Sequence, residues 1–373
     1  MRGFYNLETR PTFAIIDREA IKSNYLQLRK KVAKHVKILA IVKANAYGHG
    51  AVEIAATLKD AGCNFFGVAI CEEGIELRKA GIKSPIIVLG GIYSNQIKDI
   101  IKYNLTPVIF DIKTARLIDS AKKKLNIHVK IDTGMGRLGL LPSQVGPFFN
   151  ELRNLKNLKV EGVLSHFAEA DEEDKGFSEK QLGIFFDAIA LIHKLGFEPQ
   201  FIHFANSSAI VYYMPSHFNL VRPGIMLYGA YPARQLIGKI RLKPAMQLVT
   251  KIVQLKKVPK GFSVSYGRKF VAKKESAIAA IPIGYADGFP RHLSNKGEAL
   301  IRGQRARVAG VVCMDMTMLD VTHIRGVTEG DEVVLIGRQG HDEITVNEVA
   351  EKAGTISYEI LCGISSRVPR VYV

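Results

Sequence analysis

The chain has 373 residues, of which 47% are hydrophobic and 23% charged, close to the average of globular proteins. These proportions exclude a collagen-like, a low-complexity and a long disordered chain. No apolar run approaches the ~18 residues of a membrane-spanning helix, and the N-terminal segment carries charges where a signal peptide is apolar. We therefore expect a cytoplasmic protein without a membrane anchor, long enough for two domains.

The net charge of +17 raises the question of nucleic-acid binding. The basic residues are scattered, and the densest group, residues 29–37, overlaps a segment with helical spacing, where such a run is typical of a solvated face. We therefore expect no nucleic-acid partner. The four cysteines are Cys63, Cys71, Cys313 and Cys362. They form no CxxC pair and lie in segments expected to be buried, which favours reduced thiols over a disulfide framework or a metal site.

Short runs rich in β-branched residues recur through the N-terminal two-thirds of the chain. They cover residues 37–43, 65–69, 85–90, 106–110, 127–132, 160–166, 201–206 and 220–228. Helical spacing marks residues 19–32, 52–61, 72–80, 95–103, 113–124, 144–154 and 178–195. Buried strands that alternate with helices predict an α/β fold, an N-terminal (β/α)8 TIM-type barrel over residues 1–240. A doubly wound parallel sheet is the alternative.

The pattern changes after about residue 240. Strand-like runs cover residues 246–258, 277–283, 298–302, 305–312, 316–321 and 332–336, with turn signals between them. One helix is predicted at residues 346–353. Residues 241–373 are therefore expected to form a second, mostly-β domain.

Reactive side chains follow the predicted barrel strands, at the ends where barrel enzymes carry their active sites. Lys43 ends an apolar run, and a lysine partly removed from water has a lowered pKa and reacts as a nucleophilic amine. A strand-end lysine that points into solvent is the alternative. Gly224 leaves room for an anion beside the backbone, and hydroxyls of Ser207, Tyr47 and Tyr358 add possible donors. A lysine nucleophile with a phosphate cradle favours pyridoxal phosphate (PLP), although such a glycine also fits a simple turn.

The segment IVKANAYGHG (41–50) resembles the PLP-binding signature of the alanine racemase family, whose members are fold-type III PLP enzymes. Further blocks follow in the family's order: VKIDTGMGRLG (129–139), LSHFAEAD (164–171), HFANSSA (203–209), VRPGIMLYG (221–229), VSYGRKF (264–270), IPIGYADGFPR (281–291), GVVCMDMTMLDV (310–321) and SYEILCGISSRVPR (357–370). The resemblance covers nearly the whole chain. It implies an isomerase that interconverts L- and D-alanine and supplies D-alanine for peptidoglycan of the cell wall. It also implies that a strand at residues 12–17 packs with the C-terminal domain.

The resemblance also implies the catalytic roles. Lys43 would carry PLP as a Schiff base and handle the proton of D-alanine, and Tyr266 would handle that of L-alanine from the opposite face. His166 would orient Tyr266. Arg222 would face the pyridine nitrogen, and because an arginine only donates, that nitrogen would stay unprotonated and transamination would be limited. Without the motif, Tyr266 would be interpreted as a core or interface tyrosine.

The remaining site residues follow from the same resemblance. Those that would bind the cofactor are Lys43, Tyr47, His166, Asn206, Ser207, Arg222, Gly224, Ile225 and Tyr358. Those that would bind the substrate are Arg137, Met314 and Asp315, and those of a narrow entryway are Asp171 and Tyr285. Lys130 would be carbamylated beside Arg137, the alternative being an ordinary surface pair with Asp132. No metal is expected.

In this family Tyr266, Tyr285, Met314 and Asp315 reach the active site from the other subunit, so a homodimer with shared sites is expected. Other enzymes of the barrel class remain as alternatives: a racemase of broad specificity, or a decarboxylase of the ornithine type. Against the decarboxylase stands Arg222, where those enzymes place an acidic residue. A non-catalytic PLP carrier would lack the second domain and Tyr266.

Overall fold

The computed structural model describes residues 10–373, and the N-terminal expectation above concerns residues outside this range. The chain divides into two compact units. The barrel unit comprises residues 21–46 and 50–242, and the β-rich unit comprises residues 10–20, 47–49 and 243–373. In residues 10–373 no helix is both long enough and apolar enough to cross a membrane.

The chain begins with strand β1 (Phe13–Ile16), which belongs to the β-rich unit, and with the helix Arg18–Lys30. Eight parallel strands then build the barrel unit: β2 (Lys37–Ile41), β3 (Phe65–Val68), β4 (Ile86–Val88), β5 (Thr106–Ile109), β6 (Leu125–Lys130), β7 (Leu158–Leu164), β8 (Phe201–His203) and β9 (Leu220–Val221). The helices between them are Ala51–Asp60, Cys71–Lys79, Ile97–Lys102, Ile112–Ser120, Pro142–Leu152, Gly176–Lys194 and Ser207–Tyr212.

The eight strands are joined in chain order, and β9 returns to pair with β2. Between β8 and β9 the backbone N–H of Arg222 donates to the carbonyl of Ala205 at 2.9 Å. The strands are rich in apolar residues because both of their faces are covered; all three residues of β4 are buried. The predicted (β/α)8 architecture is confirmed.

The eighth strand is much shorter than the predicted run 220–228. It ends at Val221, and residues Ile225–Tyr228 form a 3₁₀ turn. Pro223 between them has no N–H to donate to a neighbouring strand. The apolar residues Ile225–Tyr228 are buried in this turn. Hydrophobicity alone does not distinguish such a buried turn from a strand.

The β-rich unit consists of β1 and eleven further strands: β10 (Met246–Lys251), β11 (Gln254–Val258), β12 (Ser263–Val264), β13 (Phe270–Val271), β14 (Ser276–Ile281), β15 (Glu298–Ile301), β16 (Gln304–Val308), β17 (Thr317–Asp320), β18 (Glu332–Gln339), β19 (Asp342–Ile344) and β20 (Arg370–Tyr372). Its sheet runs β11-β14-β17-β16-β15-β18-β10-β1-β20, with β1 antiparallel to β10 and parallel to β20. Helices Val346–Ala353 and Ser357–Gly363 complete it. The prediction of a mostly-β C-terminal region is confirmed.

An ion-pair network ties β15, β16, β19 and the helix Val346–Ala353 together. Arg305 binds Glu298 at 2.9 Å, Asp342 at 2.8 Å and Glu348 at 2.5 Å. Lys352 binds both Glu298 and Glu348 at 2.7 Å. The network therefore joins interior strands of the sheet to the helix by charge as well as by apolar packing.

The cysteines differ from one another in burial. Cys63 and Cys71 are buried thiols, Cys313 is partly exposed and Cys362 is exposed. The expectation of burial was wrong for Cys362. It lies on a short helix with buried neighbours Ile360 and Leu361, and a helical turn places it on the opposite side from them.

Candidate active site

Lys43 stands at the carboxyl end of β2 and begins a left-handed turn. Ala44, Asn45, Ala46 and Tyr47 all have φ between 51° and 53°. A left-handed conformation costs roughly 1–2 kcal/mol for each L-residue, and strain of this kind collects at functional sites. The segment following Lys43 is therefore held in a shape that the isolated chain would not adopt.

Hydrogen bonds from the barrel unit hold this turn. The backbone N–H of Ala44 donates to Oε1 of Glu73 at 2.6 Å. The side chain of Asn45 accepts the N–H of Ala51 at 2.8 Å. Gly50, with φ 96°, lets the chain leave the turn and enter the next helix. The sequence interpretation missed Glu73, whose role depends on a contact 29 residues away.

Arg222 is buried beside the ends of β7 and β8 and is fixed by backbone carbonyls. Its Nη1 donates to the carbonyl of His203 at 2.8 Å, and its Nη2 donates to those of Ser165 at 2.6 Å and Phe204 at 2.9 Å. Burial lowers the pKa of Arg222 to about 9, so the guanidinium remains charged at neutral pH. Its Nε–H has no acceptor among residues 10–373 and is available to an acceptor atom of a ligand.

His166 lies next to this guanidinium. Its Nδ1 is 3.2 Å from Nη2 of Arg222. Burial, and then the charges of Arg222, Arg137, Lys130 and Lys43, lower its pKa well below the ordinary value. The ring is therefore neutral at neutral pH. Because arginine only donates, Nδ1 accepts and the ring proton resides on Nε2. Four cations named in the sequence analysis thus lie within electrostatic reach of one neutral imidazole.

Lys130 ends β6 as a buried residue, not as a member of a surface pair. Burial, followed by the charges of Arg137 and Arg222, lowers its pKa to about 8. Asp132 turns instead to the backbone: its carboxylate accepts the N–H groups of Gly134 at 2.9 Å and of Gly136 and Arg137 at 3.1 Å. The alternative of an ordinary surface pair was therefore wrong, because Lys130 is buried, and Asp132 shapes the loop that carries Arg137.

The predicted phosphate residues of the barrel unit lie on adjacent loops. Ser207 is buried, and its Oγ accepts the N–H of Gly224 at 2.9 Å, which leaves the hydroxyl proton for another acceptor. Asn206 caps the helix that Ser207 begins, accepting the N–H of Ala209 at 3.0 Å. Ile225 is buried and follows Gly224. Asp171 lies on another loop, where its carbonyl accepts a hydrogen bond from Gln235.

The other predicted residues lie in the β-rich unit, mostly exposed. Tyr266 is 71% exposed and follows Ser265, which has φ 67°. Tyr285 and Met314 are also exposed, and the backbone N–H of Tyr285 donates to the carbonyl of Cys313 at 3.0 Å.

Asp315 and Tyr358 complete the predicted set within the β-rich unit. Asp315 binds Arg367 at 2.7 Å. The ring of Tyr358 lies 5.9 Å from that of Tyr47. The two tyrosines that were expected to serve the phosphate are therefore neighbours.

The barrel residues fit PLP. Buried, positively charged surroundings suit a phosphate-bearing aldehyde, and a spare Arg222 N–H suits a ring nitrogen that accepts. The Ser207 hydroxyl, whose oxygen accepts the N–H of Gly224, supplies a neutral donor of the kind that binds phosphate.

Comparison with known proteins gives a consistent result. The model of the alanine racemase N-terminal domain matches residues 16–232, and that of the alanine racemase C-terminal domain matches residues 245–372. The chain is 48% identical to the alanine racemase of Geobacter sulfurreducens, with 98% of each chain covered. It is 46% identical to that of Halothermothrix orenii, covering 98% of this chain and 97% of the relative.

Solved structures agree. The alanine racemase of Bacillus anthracis with bound L-Ala-P has a TM-score of 0.93 and 36% identity, covering 100% of this chain and 96% of that one. The alanine racemase of Clostridium difficile 630 has a TM-score of 0.93 and 38% identity, covering 98% and 96%. With family models over both regions and relatives matched over nearly their full length, the chain belongs to the alanine racemase family and is an amino-acid racemase.

Proposed function

We propose that this enzyme interconverts L- and D-alanine with PLP by a two-base mechanism, Lys43 and Tyr266 being the bases, and that it supplies D-alanine for peptidoglycan. The observation that carries the proposal is that Lys43 follows the carboxyl end of β2, within electrostatic reach of the neutral His166, whose Nδ1 lies 3.2 Å from Nη2 of the buried Arg222. A lysine at the carboxyl end of a barrel strand stands where barrel enzymes carry their active sites.

The cofactor would be held by residues of the barrel unit and by two tyrosines. Arg222 would donate Nε–H to the pyridine nitrogen, and Ser207, Gly224 and Ile225, with Tyr47 and Tyr358, would bind the phosphate. Asn206 would keep the Ser207 loop in place through its helix cap. PLP, when bound, supplies an electron sink that makes the α-proton of the amino acid removable.

Two side chains would move the proton. Lys43 Nζ would take the α-proton of D-alanine, and the Tyr266 hydroxyl would take that of L-alanine, each returning a proton on its own side. A tyrosine ordinarily titrates near 10 and needs a cationic or hydrogen-bonded neighbour to act as a base. We assign this help to His166, whose Nε2–H is the ring donor left over by its bond to Arg222.

Arg137 would bind the substrate carboxylate, with Met314 and Asp315 along the substrate and Asp171 and Tyr285 at the entryway. Lys130 would be carbamylated: its pKa of about 8 leaves part of the amine neutral near pH 7–8. A neutral amine adds carbon dioxide and releases a proton, which converts a repelling cation into an anion beside Arg137. Mass spectrometry of the intact protein at neutral pH tests this, and an unmodified mass after trapping of carbamates would contradict it.

Three large side chains of the β-rich unit are exposed: Tyr266, Tyr285 and Met314. Exposed apolar side chains of this size often mark a surface that binds another protein. We propose that a second copy of the chain covers them, so that each active site draws Lys43 from one subunit and Tyr266 from the other.

The direct test of the activity follows L-alanine with PLP in D₂O. NMR detects deuterium at the α-carbon, and chiral chromatography detects D-alanine. Both signals together are expected. Deuteration without D-alanine would mean that only one base works, and neither signal would contradict an alanine racemase and direct the search to serine, lysine and arginine as substrates.

A further inference from the structure

Four polar side chains form a line through the interior of the barrel unit. Nη1 of Arg222 lies 3.1 Å from Nδ1 of His203, and Nε2 of His203 lies 2.8 Å from Nδ1 of His128. Nε2 of His128 then lies 3.5 Å from Oε2 of Glu161, a long approach rather than a full hydrogen bond. Both histidines are fully buried. Burying polar groups in such a core costs desolvation free energy, so we expect these four side chains to serve a function.

The hydrogen bonds along this line of side chains all donate in one direction, from Arg222 towards Glu161. Arginine only donates, so the tautomer of His203 that satisfies it accepts at Nδ1 and carries the ring proton on Nε2. His128 therefore accepts at Nδ1 and carries its own proton on Nε2. That proton faces Glu161, whose carboxylate only accepts. Burial lowers the pKa of both imidazoles, that of His203 also through the charge of Arg222, so both rings are neutral.

The backbone is shaped to bring Glu161 to the end of this line. Ile127 of β6 faces Val160 of β7, but His128 faces Gly162, so Glu161 is an extra residue in β7. A bulge of this kind re-aims a side chain. A Cβ at Gly162 would come within 2.4 Å of the His128 ring, so that only glycine leaves space for the imidazole.

Glu161 also reaches solvent. Its side chain is 19% exposed and lines a cleft with Arg78, Lys83 and Lys124 before β4, β5 and β6. Asn126 donates to its other oxygen, Oε1, at 2.7 Å. The cleft therefore lies at the amino ends of the strands, whereas Lys43 follows the carboxyl end of β2. The second carboxylate oxygen of Glu161, Oε2, is the one that faces Nε2 of His128.

We propose that Glu161 is a positioning residue for Arg222. The Glu161 carboxylate holds the ring protons of His128 and His203 on their Nε2 atoms, so that the guanidinium of Arg222 meets an acceptor at Nδ1 of His203. With the other tautomer, Nδ1–H of His203 would face an N–H of Arg222, and two donors would repel. The Glu161 carboxylate makes that tautomer unfavourable. Among residues 10–373 it is the only acceptor that faces Nε2 of His128. The inference rests on the proposed function in one respect, that Arg222 contacts the cofactor.

The test compares Glu161→Ala with Glu161→Gln in the full-length protein with PLP. A matched control is Glu151→Gln, which removes the same charge from a surface pair with Arg116. Solid-state ¹⁵N NMR of labelled histidines reports which ring nitrogen carries the proton, with His128→Asn and His203→Asn used to assign the signals. Thermal unfolding shows that each variant is folded, and titration with PLP gives its Kd.

For Glu161→Ala we expect His203 to show a mixture of tautomers and the Kd for PLP to rise about 2- to 12-fold, the value of one hydrogen bond. Glu161→Gln retains an acceptor oxygen and should change both readouts less, and Glu151→Gln should change neither. If the alanine variant does not fold, Glu161→Asp withdraws the carboxylate while keeping its charge, and should shift the His128 signals.

A folded Glu161→Ala variant with wild-type His203 signals and a wild-type Kd would overturn the proposal. So would a folded Glu161→Asp variant with wild-type His128 signals. The NMR readout does not depend on racemisation: if the wild-type protein did not racemise alanine, the proposed function would fail while the role of Glu161 would still be tested.

Discussion

The two units of this chain differ in how far they bury the predicted site residues. In the barrel unit Arg222, Lys130 and Ser207 are buried, and Arg222 meets five neighbouring acceptor atoms. In the β-rich unit Tyr266 and Tyr285 are exposed on short turns between strands. The first group is packed inside its own unit. The second group is exposed at the surface of its own unit.

The difference has a physical origin. A buried cation costs free energy unless it is hydrogen-bonded, and the barrel supplies carbonyls and imidazoles to both terminal nitrogens of Arg222. An exposed tyrosine needs no such support and is free to complete a site elsewhere. We infer that the barrel unit holds the cofactor in place, and that the β-rich unit contributes the second base on dimerisation.

The largest expected effect comes from the barrel side. Lys43→Ala removes both the Schiff-base amine and one base, and should lower racemisation by at least about 10⁴-fold. The absorbance of protein-bound PLP should be lost as well. Steady-state rates and the ultraviolet–visible spectrum measure the two effects. Lys37→Ala, at the exposed start of β2, is the control and should behave as wild type. Racemisation that survives in Lys43→Ala would remove Lys43 from its role.

The next effect comes from the β-rich side. Tyr266→Phe should slow α-proton exchange of L-alanine by about 10²- to 10⁴-fold, the usual contribution of a general base. Exchange of D-alanine in D₂O should persist, because Lys43 remains. NMR of the α-proton measures both enantiomers separately. Tyr93→Phe, which changes an exposed tyrosine of the barrel unit, is the control. Equal, small losses for the two enantiomers would mean that Tyr266 is structural.

The smallest effect is on stability alone. Arg305→Ala breaks the ion-pair network of the β-rich unit and should lower the free energy of unfolding by about 1–2 kcal/mol, since solvent screens a guanidinium that is one-third exposed. Arg338→Ala, a more exposed arginine paired with Glu343, should cost less. Urea unfolding measures both. A loss in Arg305→Ala no larger than that in Arg338→Ala would contradict a cooperative network.

The same network sets a pH dependence. Burial on its own would raise the pKa of Glu298 and Glu348, but hydrogen bonds from Lys352 and Arg305 lower it overall. A carboxylate with a lowered pKa stabilises the fold above its ordinary value near 4.5 and loses that contribution as pH falls. The difference between wild type and Arg305→Ala should therefore be full at pH 7 and shrink below about pH 4.5. A difference that stayed constant down to pH 3 would contradict this assignment.

Features set by short-range pattern could be predicted from the sequence. The eight barrel strands, and the helix Val346–Ala353, follow from apolar runs and helical spacing. What the pattern did not reveal depends on contacts between distant residues. The left-handed turn after Lys43 needs Glu73, and the placement of His128 needs the bulge at Glu161 and a glycine in the next strand.

The site residues show the same division. The family resemblance supplied their identities, and the structure brings Lys43, Lys130, Arg137, His166 and Arg222 within electrostatic reach of one another. The burial of Lys130, and hence its pKa of about 8, could not be predicted from the sequence because a lysine at a strand end is compatible with either environment. His203 was quoted only as part of a motif, and its contact with Arg222 depends on how two strands end.

The central claim is that one site combines Lys43 of one subunit with Tyr266 of the other. Mixing the inactive variants Lys43→Ala and Tyr266→Phe after reversible dissociation tests it directly. A heterodimer with shared sites has one site with both bases intact, so a random mixture should recover about a quarter of wild-type activity. If each site used both bases of a single chain, every site in the mixture would lack one base. Continued inactivity of a mixture shown to contain heterodimers would contradict the account.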